Sequence, residues 1–461
     1  LEAAIRRHQD QLIAAVSQDF THRSRQDTLL GDIFPTLSAI KHLSKQLRRW
    51  MKPERRPVLL HFQPGRAWIE HQPLGVVGVM SPWNYPIGLA LVPLATALAA
   101  GNRVMLKPSE LTPETCGAMK AMLAEAFPED QVAVISGGAE VGAAFSALPL
   151  DLICFTGSTA VGKLVMKAAS EHLVPVILEL GGKSPALIDE RYPVAHAARS
   201  IAHGKLANAG QTCIAPDYVL VSKARSEEFV RELQQQVARL YPGWAGNPDY
   251  GAIVSDRHSD RLALLVDDAR SRGATVLEAG RETPGGPPDN QIRRPSPIHG
   301  TTETRTESSQ RGNTSPRKFP PTILLHVTDE MLVMQEEIFG PVLPVMTYDT
   351  FDEALDYINR HSRPLALYFY SHDSDRQQQV LGRTTSGGVT INDTMLHFLN
   401  DTLPFGGVGA SGMGCYHGIE GFRNFSHRKA VFHQSKVNFA DLLRPPFGTT
   451  FDRVMSMLLR R

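Results

Sequence analysis

Residues 75–110 read GVVGVMSPWNYPIGLALVPLATALAAGNRVMLKPSE. Val76 to Met80 is a short, unbroken apolar run of the kind buried on both faces of a parallel sheet. Tyr85 to Ala100 is apolar and long enough for a helix, and Arg103 to Leu106 forms a second strand. Strand, helix and strand in this order make one crossover unit. The grammar repeats downstream, with a helix near Thr115 to Phe127, strands at Val132 to Ile135 and Leu152 to Phe155, a helix from Ala160 and a strand at Pro175 to Leu178. Such alternation predicts an α/β fold whose open, mostly parallel sheet carries helices on both faces. Pro93 predicts a kink or an irregular turn inside the first helix.

Upstream, residues 1–52 place Ile5, Leu12, Ile13 and Val16 at helical spacing among polar residues, predicting helices on the outside of this first domain. Val58 to Phe62 and Ala67 to His71 alternate around Pro64-Gly65, which predicts a hairpin over 55–73 suited to a subunit contact. Downstream, a second series runs through strands at Tyr218 to Val221, Ile323 to His326 and Pro344 to Tyr348, with a charged amphipathic helix at Ser226 to Leu240. Residues 281–318 are rich in Pro, Gly, Ser, Thr, Arg and Asn without apolar periodicity, so they predict a disordered surface insertion. The expected division is therefore 1–181, 182–395, and a 396–461 segment returning to the first domain. Its apolar-then-basic end, Val454 to Arg461, is expected to dock on a neighbouring surface.

Composition narrows the function. With 461 residues, two lobes are expected, and 42% hydrophobic against 21% charged residues is ordinary for a folded protein. Lys plus Arg (48) balances Asp plus Glu (47), which gives no general attraction to nucleic acid or anionic lipid. The four cysteines, Cys116, Cys154, Cys213 and Cys415, form no CxxC pair, so neither a metal site nor a disulfide framework is expected and a reducing cytoplasmic setting is. No apolar run of about 20 residues predicts a membrane span or a secretory leader. The chain starts at Leu1 rather than Met, so its natural start is expected upstream.

Two glycine motifs are decoys. Gly157 to Lys163 nearly spells a phosphate-binding loop, but Leu164 stands where a magnesium-binding hydroxyl is needed. Gly407, Gly409 and Gly412 satisfy G-x-G-x-x-G without the preceding first strand that gives the motif its meaning. More informative are three segments at predicted strand C-termini, where open α/β sheets bind ligands: Pro82-Trp83-Asn84-Tyr85-Pro86, Lys107-Pro108-Ser109-Glu110 and Phe155-Thr156-Gly157-Ser158. Leu178-Glu179-Leu180-Gly181-Gly182-Lys183-Ser184-Pro185 follows, and Asn208-Ala209-Gly210-Gln211-Thr212-Cys213 ends 34 residues after Glu179. Glu336-Glu337-Ile338-Phe339-Gly340-Pro341 and Leu403-Pro404-Phe405-Gly406-Gly407 complete the set. Taken singly, Cys213 reads as a buried structural cysteine, Asn84 as a turn residue between prolines and Glu179 as a strand-ending surface glutamate.

Together, in this order from about Gly75 to His427, the motifs resemble the aldehyde dehydrogenase superfamily. The ending from Pro404 to Gly418 with Phe425-Ser426-His427 resembles its class 3 branch, and with Arg48 to Pro53 it is most similar to bacterial coniferyl aldehyde dehydrogenases. The resemblance implies a dinucleotide-binding domain, a catalytic domain and a small oligomerisation ribbon, assembled as a homodimer. It implies that Cys213 attacks the aldehyde, that Asn84 and the Cys213 backbone N–H stabilise the oxyanion, and that Glu179 activates the water that hydrolyses a thioester. Lys107 and Glu110 would address the adenosine ribose of NAD, with NADP possible, while Gly157 and Ser158 would lie near the pyrophosphate. Trp83, Leu180, Glu337 and Phe339 would complete the cofactor site, Glu337 on the nicotinamide ribose. Trp83, Tyr85, Phe398 and Phe405 are expected around the aldehyde tunnel and suit an aromatic or long apolar substrate. His397 and His417 are expected to be structural or one step removed from the substrate. The rival readings are an acylating or semialdehyde dehydrogenase, which Glu179 disfavours, and a catalytically silent relative, which the trio Asn84, Glu179 and Cys213 disfavours.

Overall fold

The computed structural model describes residues 1–59, 62–280 and 316–459. Three sheets organise them. The first has six strands in the order β15-β7-β6-β3-β4-β5, formed by β3 (Val76–Met80), β4 (Arg103–Lys107), β5 (Val132–Val134), β6 (Leu152–Gly157), β7 (Val176–Leu180) and β15 (Gly412–Met413). All neighbours are parallel except β15, which returns antiparallel to β7. β3 lies between β4 and β6, so strand order reverses beside it and a crevice opens at the strand C-termini. Helices Gly88–Ala99, Pro113–Ala126, Ala139–Ser146 and Thr159–Ser170 connect these strands, and the first runs through Pro93 without ending there. The N-terminal helices Gln9–Asp19 and Phe34–Trp50 pack on Pro113–Ala126 and Gly88–Ala99 respectively.

The second sheet has seven strands in the order β10-β11-β12-β9-β8-β13-β14: β8 (Pro185–Ile188), β9 (Tyr218–Ser222), β10 (Thr275–Glu278), β11 (Thr322–Leu325), β12 (Val342–Tyr348), β13 (Ala366–Tyr370) and β14 (Gly388–Ile391). Only β10 runs antiparallel. β7 and β8 are separated only by the Gly181–Ser184 turn, so the chain passes from one sheet to the other at the end of the Glu179 strand.

The third sheet contains the expected hairpin, with its first arm placed earlier in the chain. Its arms are β1 (Glu54–Arg56) and β2 (Arg66–Pro73); of the first arm expected from Val58, residues 60 and 61 lie outside the described residues. Pro57 ends the first arm because it has no N–H for the ladder. β1 pairs antiparallel with β2, and β2 also pairs along its whole length with β16 (Ser426–His433), which sequence periodicity did not reveal.

The expected insertion over 281–318 lies outside the described residues except for its end, and there it needs correction. Arg317 Nε donates to the Ile253 carbonyl at 3.0 Å and Ile253 N–H donates to the Arg317 carbonyl at 2.8 Å, so Arg317 is docked. The C-terminal helix Thr449–Leu459 buries no side chain within the chain.

Candidate active site

Cys213 owes its position to a constrained turn. After helix Val194–Leu206, Asn208, Ala209 and Gly210 are all left-handed, with φ of 51°, 51° and 77°. Such backbone persists only where neighbours hold it. Asn208 Nδ2 donates to the Asn84 carbonyl at 2.9 Å and to the Gln211 carbonyl at 3.2 Å. Gln211 in turn donates to the Ala252 carbonyl at 3.1 Å and accepts from Val254 N–H at 3.0 Å. The turn presents Cys213, half-buried, to a cavity of about 570 Å³. Burial, with the charges of Glu337 and Glu179 adding, pushes its thiol up to about 12.

Asn84 lies in the loop after β3 and is brought to the same place. Its Nδ2 donates to the Gln211 carbonyl at 3.1 Å, and the Tyr85 hydroxyl lies 2.7 Å from Thr212 Oγ1. The Asn84 loop and the Cys213 loop are thus hydrogen-bonded to each other three times, counting Asn208 to Asn84.

Glu179 sits on β7, paired with Thr156 on one side and Gly412 on the other. It is 2% exposed, and neither carboxylate oxygen has a hydrogen-bond partner among the described residues. A buried carboxylate without donors favours its neutral form, and burial holds this one well above the usual carboxylate range. Its charge is felt by Cys213, Cys154 and Tyr416, so it faces the same interior as the thiol.

Glu337 approaches from the Glu336–Gly340 loop. A Cβ at Gly181 would lie 1.9 Å from Glu337 Oε2, so the glycine leaves the room this carboxylate occupies and a side chain there would displace it. Burial raises Glu337 to about 8, with Asp217 adding and Gly182 N–H, Lys183 and Arg261 opposing. Phe339 is left-handed at φ 52° and meets the edge of Trp83 at 5.3 Å between centroids. Trp83 also packs on His258 at 4.9 Å and does not line the cavity.

At the far side of the crevice, Lys107 Nζ donates to Glu110 Oε2 at 3.4 Å and to the Pro108 carbonyl at 3.1 Å. Gly157 ends β6, and Ser158 caps helix Thr159–Ser170, its Oγ accepting from Val161 N–H at 3.3 Å. Leu180 is buried beneath that helix, where a Cβ at Gly162 would come within 2.7 Å of it.

The cavity lining requires further corrections. Tyr85 and Phe398 line it as expected, but Phe405 is 3% exposed and stands behind Phe398, 4.9 Å away. His417, expected outside the first layer, lines the cavity, and burial lowers it to about 4. His397 is held by Thr390 at 2.8 Å and does not line it. Much of the remaining wall, including Gln26, Asp27, Leu30 and Gly31, comes from the N-terminal helices, which had no sequence motif to mark them.

Sequence reasoning also missed the frame under the Glu337 loop. Lys183 Nζ bonds Asp217, the Val333 carbonyl at 2.8 Å and the Glu336 carbonyl at 3.1 Å. Asp217 Oδ1 accepts from Ile338 N–H at 2.9 Å, and Arg261 donates to the Ile338 carbonyl at 2.9 Å and to the Glu337 carbonyl. Lys183 was visible inside its glycine motif; Asp217 and Arg261 carried no signal.

A parallel-stranded crevice, a cavity with Cys213 on its wall and a buried glutamate whose charge reaches that thiol define a class, and the chain belongs to the aldehyde dehydrogenase family, whose model matches residues 1–307 and 297–431. It is an enzyme that oxidises aldehydes with a nicotinamide dinucleotide. Among its relatives, a protein of Pseudomonas aeruginosa described as a probable coniferyl aldehyde dehydrogenase is 49% identical over 455 residues, covering 99% of this chain and 89% of that one. The substrate-bound Staphylococcus aureus AldH structure is 36% identical with a TM-score of 0.88, covering 99% of this chain and 93% of that one. A Mycobacterium tuberculosis aldehyde dehydrogenase complexed with NAD+ is 28% identical with a TM-score of 0.79, covering 93% and 83%. Among the described residues no helix is long and apolar enough to cross a membrane.

Proposed function

We propose that this chain oxidises a neutral aromatic or long apolar aldehyde of the coniferaldehyde kind to its carboxylic acid, through a thioester on Cys213 hydrolysed with Glu179 as general base. The observation that carries this reading is the combination of a largely apolar cavity with Cys213 at its wall and a buried Glu179 carboxylate, without a hydrogen-bond partner among the described residues, whose charge reaches that thiol. Tyr85, Phe398 and Ile214 give a flat or extended carbon skeleton apolar contact. Among the described residues the lining includes Asp27 and Asp249 and no lysine or arginine, which favours a neutral substrate over an anionic one.

The Cys213 thiol first gives up its proton to solvent, and the sulfur then attacks the carbonyl carbon, giving a tetrahedral adduct whose oxygen is stabilised by the Asn84 amide and the Cys213 N–H. Asn84 Nδ2 spends one hydrogen on Gln211, which leaves the second for that oxygen. When bound, the nicotinamide dinucleotide supplies a cationic ring that takes two electrons and a hydrogen from the substrate carbon. Glu179 then takes a proton from water as that water attacks the thioester, and the Cys213 sulfur leaves with the acid released. A carboxylate with an elevated pKa is a stronger base for this than an exposed one.

The residues fit the dinucleotide. The Ser158-capped start of a twelve-residue helix suits a pyrophosphate, and Glu337 over Gly181 suits a ribose hydroxyl pair. Glu110 accepts hydrogen bonds from a free ribose and repels a 2′-phosphate, while Lys107, already paired with it, offsets this only in part. NAD is therefore preferred over NADP. The ribbon of β1, β2 and β16, with Phe432 half exposed on it, is proposed as the contact of a homodimer.

The test is NADH formation with coniferaldehyde, benzaldehyde, hexanal and 4-carboxybenzaldehyde. The reading expects the neutral aldehydes to outrun the anionic one by tenfold or more in kcat/KM, an estimate of about one unit of charge repulsion at several ångströms. Equal rates for 4-carboxybenzaldehyde and its methyl ester would remove the neutral-substrate claim.

A further inference from the structure

We propose that Arg23, in the N-terminal helical layer, is a positioning residue for the oxyanion site: its buried guanidinium fixes the Asn84 backbone, and through it the Asn84 amide, against the Cys213 loop. This rests on the reading of Asn84 as an oxyanion donor.

The Arg23 side chain is 0% exposed. Its Nη1 donates to the Asn84 carbonyl at 2.9 Å and lies 3.2 Å from Asp32 Oδ2, while Nε lies 3.4 Å from Asp27 Oδ2. The guanidinium stands 4.7 Å from the centre of the Tyr85 ring. Asp32 reaches the other end of the same loop, where its Oδ1 accepts from Ile87 N–H at 3.2 Å and Gly88 N–H at 2.8 Å, at the start of helix Gly88–Ala99. One buried ion pair therefore grips both ends of the stretch Asn84 to Gly88.

Local structure makes this grip possible. Leu29–Ile33 form a single π-helical turn, a feature that recurs at functional sites because its extra residue redirects a side chain. Here it turns the fully buried Asp32 inward. Gly31 in that turn lets the Tyr85 ring approach, since a Cβ there would lie 2.6 Å from Cε1.

The Asn84 carbonyl receives a second donor, Asn208 Nδ2 at 2.9 Å, from the nucleophile loop. It is thus held from two sides, by the layer that walls the substrate cavity and by the loop that carries the nucleophile. With the peptide fixed, the side-chain amide has one bond to Gln211 and one hydrogen aimed by the backbone. A fold needing only cohesion gains little from this arrangement. Arg23 Nε and Asp32 Oδ2 meet their partners as ion pairs rather than in hydrogen-bond geometry, Arg23 Nη2 has no hydrogen-bond partner among the described residues, and an apolar cluster of equal volume is often as stable as a buried ion pair. The arrangement is explained by orientation.

The test uses the full chain and the pre-steady-state burst of NADH, which reads adduct formation and oxidation. Asn84→Ala should slow the burst by about 10²- to 10³-fold, the usual effect of losing one oxyanion donor. Arg23→Lys, which keeps the charge without the fork, should slow it about tenfold with NAD+ affinity unchanged. Asp32→Asn, which keeps an acceptor for Ile87 and Gly88, should slow it about fivefold, guarding against an Arg23 variant that fails to fold. The decisive arm is the double substitution. If Arg23 acts through Asn84, Arg23→Lys and Asp32→Asn each lose their effect in the Asn84→Ala background, a coupling that loss of general stability does not produce. Independent multiplication of the effects would overturn the positioning role while leaving Asn84 intact as a donor. An unaltered burst in Asn84→Ala would instead overturn the reading of Asn84 itself.

Discussion

Replacing Glu179 with glutamine should move stability and activity in opposite directions. The side chain keeps its shape, so the 2% exposed site remains filled. In the wild type the carboxyl has a raised pKa in the folded protein and an ordinary one when unfolded. The unfolded chain therefore loses this proton first, and folding stability falls as pH rises from about 4.5 towards the folded-state value. Each unit of elevation costs about 1.4 kcal/mol once the pH exceeds both values. Glutamine never ionises, so Glu179→Gln should equal the wild type near pH 4 and be more stable at pH 8. For a chain of this size the gain should be about 1–2 °C in Tm per kcal/mol. Activity should collapse: without a base for water, thioester hydrolysis should slow by about 10²- to 10⁴-fold. Stopped-flow should then show one NADH per chain formed in a burst, followed by a very slow steady state. A variant that turns over at the wild-type rate without a burst, or that is less stable at pH 8 than the wild type, would refute the assignment of this buried carboxylate.

The same chemistry makes steady-state turnover rise with pH through the elevated Glu179 pKa, because only the ionised base activates water; a profile already flat from pH 5 would contradict it. Lys183→Ala leaves Asp217, 4% exposed, without its cation, and should destabilise the protein by about 3–5 kcal/mol while weakening NAD+ binding through the Glu337 loop; calorimetry and titration read the two effects. Glu110→Gln should improve the NADP-to-NAD ratio of kcat/KM by roughly tenfold by removing one repelling charge, and an unmoved ratio would separate Glu110 from cofactor choice.

The Rossmann-like half of the fold was legible because its strands are continuous apolar runs separated by helices of ordinary length. The candidate site residues were legible where they sat in short motifs containing glycine or proline, whether in a loop, as Asn84, Cys213 and Glu337 do, or at the end of a strand, as Glu179 does. Three kinds of feature were not. β16 alternates too little to mark it as a strand, with only Ser426 buried, and gains its identity from pairing with β2. Asp217 and Arg261 act on the Glu337 loop through the backbone carbonyls and N–H groups of distant residues, which leaves no periodic or compositional trace. Arg23 sits in the short loop before helix Arg25–Thr28 and Asp32 in the π turn, positions with no motif to mark them, and the π turn and the approach of the Asn84 loop bury them. Phe405 was misassigned for a related reason: an aromatic beside a site motif reads the same whether it faces the cavity or stands one layer behind.

The measurement closest to the central claim is rapid acid quench of the wild-type enzyme with NAD+ and benzaldehyde, followed by intact mass and peptide mapping. The account predicts a transient gain of one benzoyl group on the peptide containing Cys213, absent without NAD+ and lasting far longer in Glu179→Gln. An acyl group on Cys154 or Cys415, or full turnover by Cys213→Ala, would contradict it.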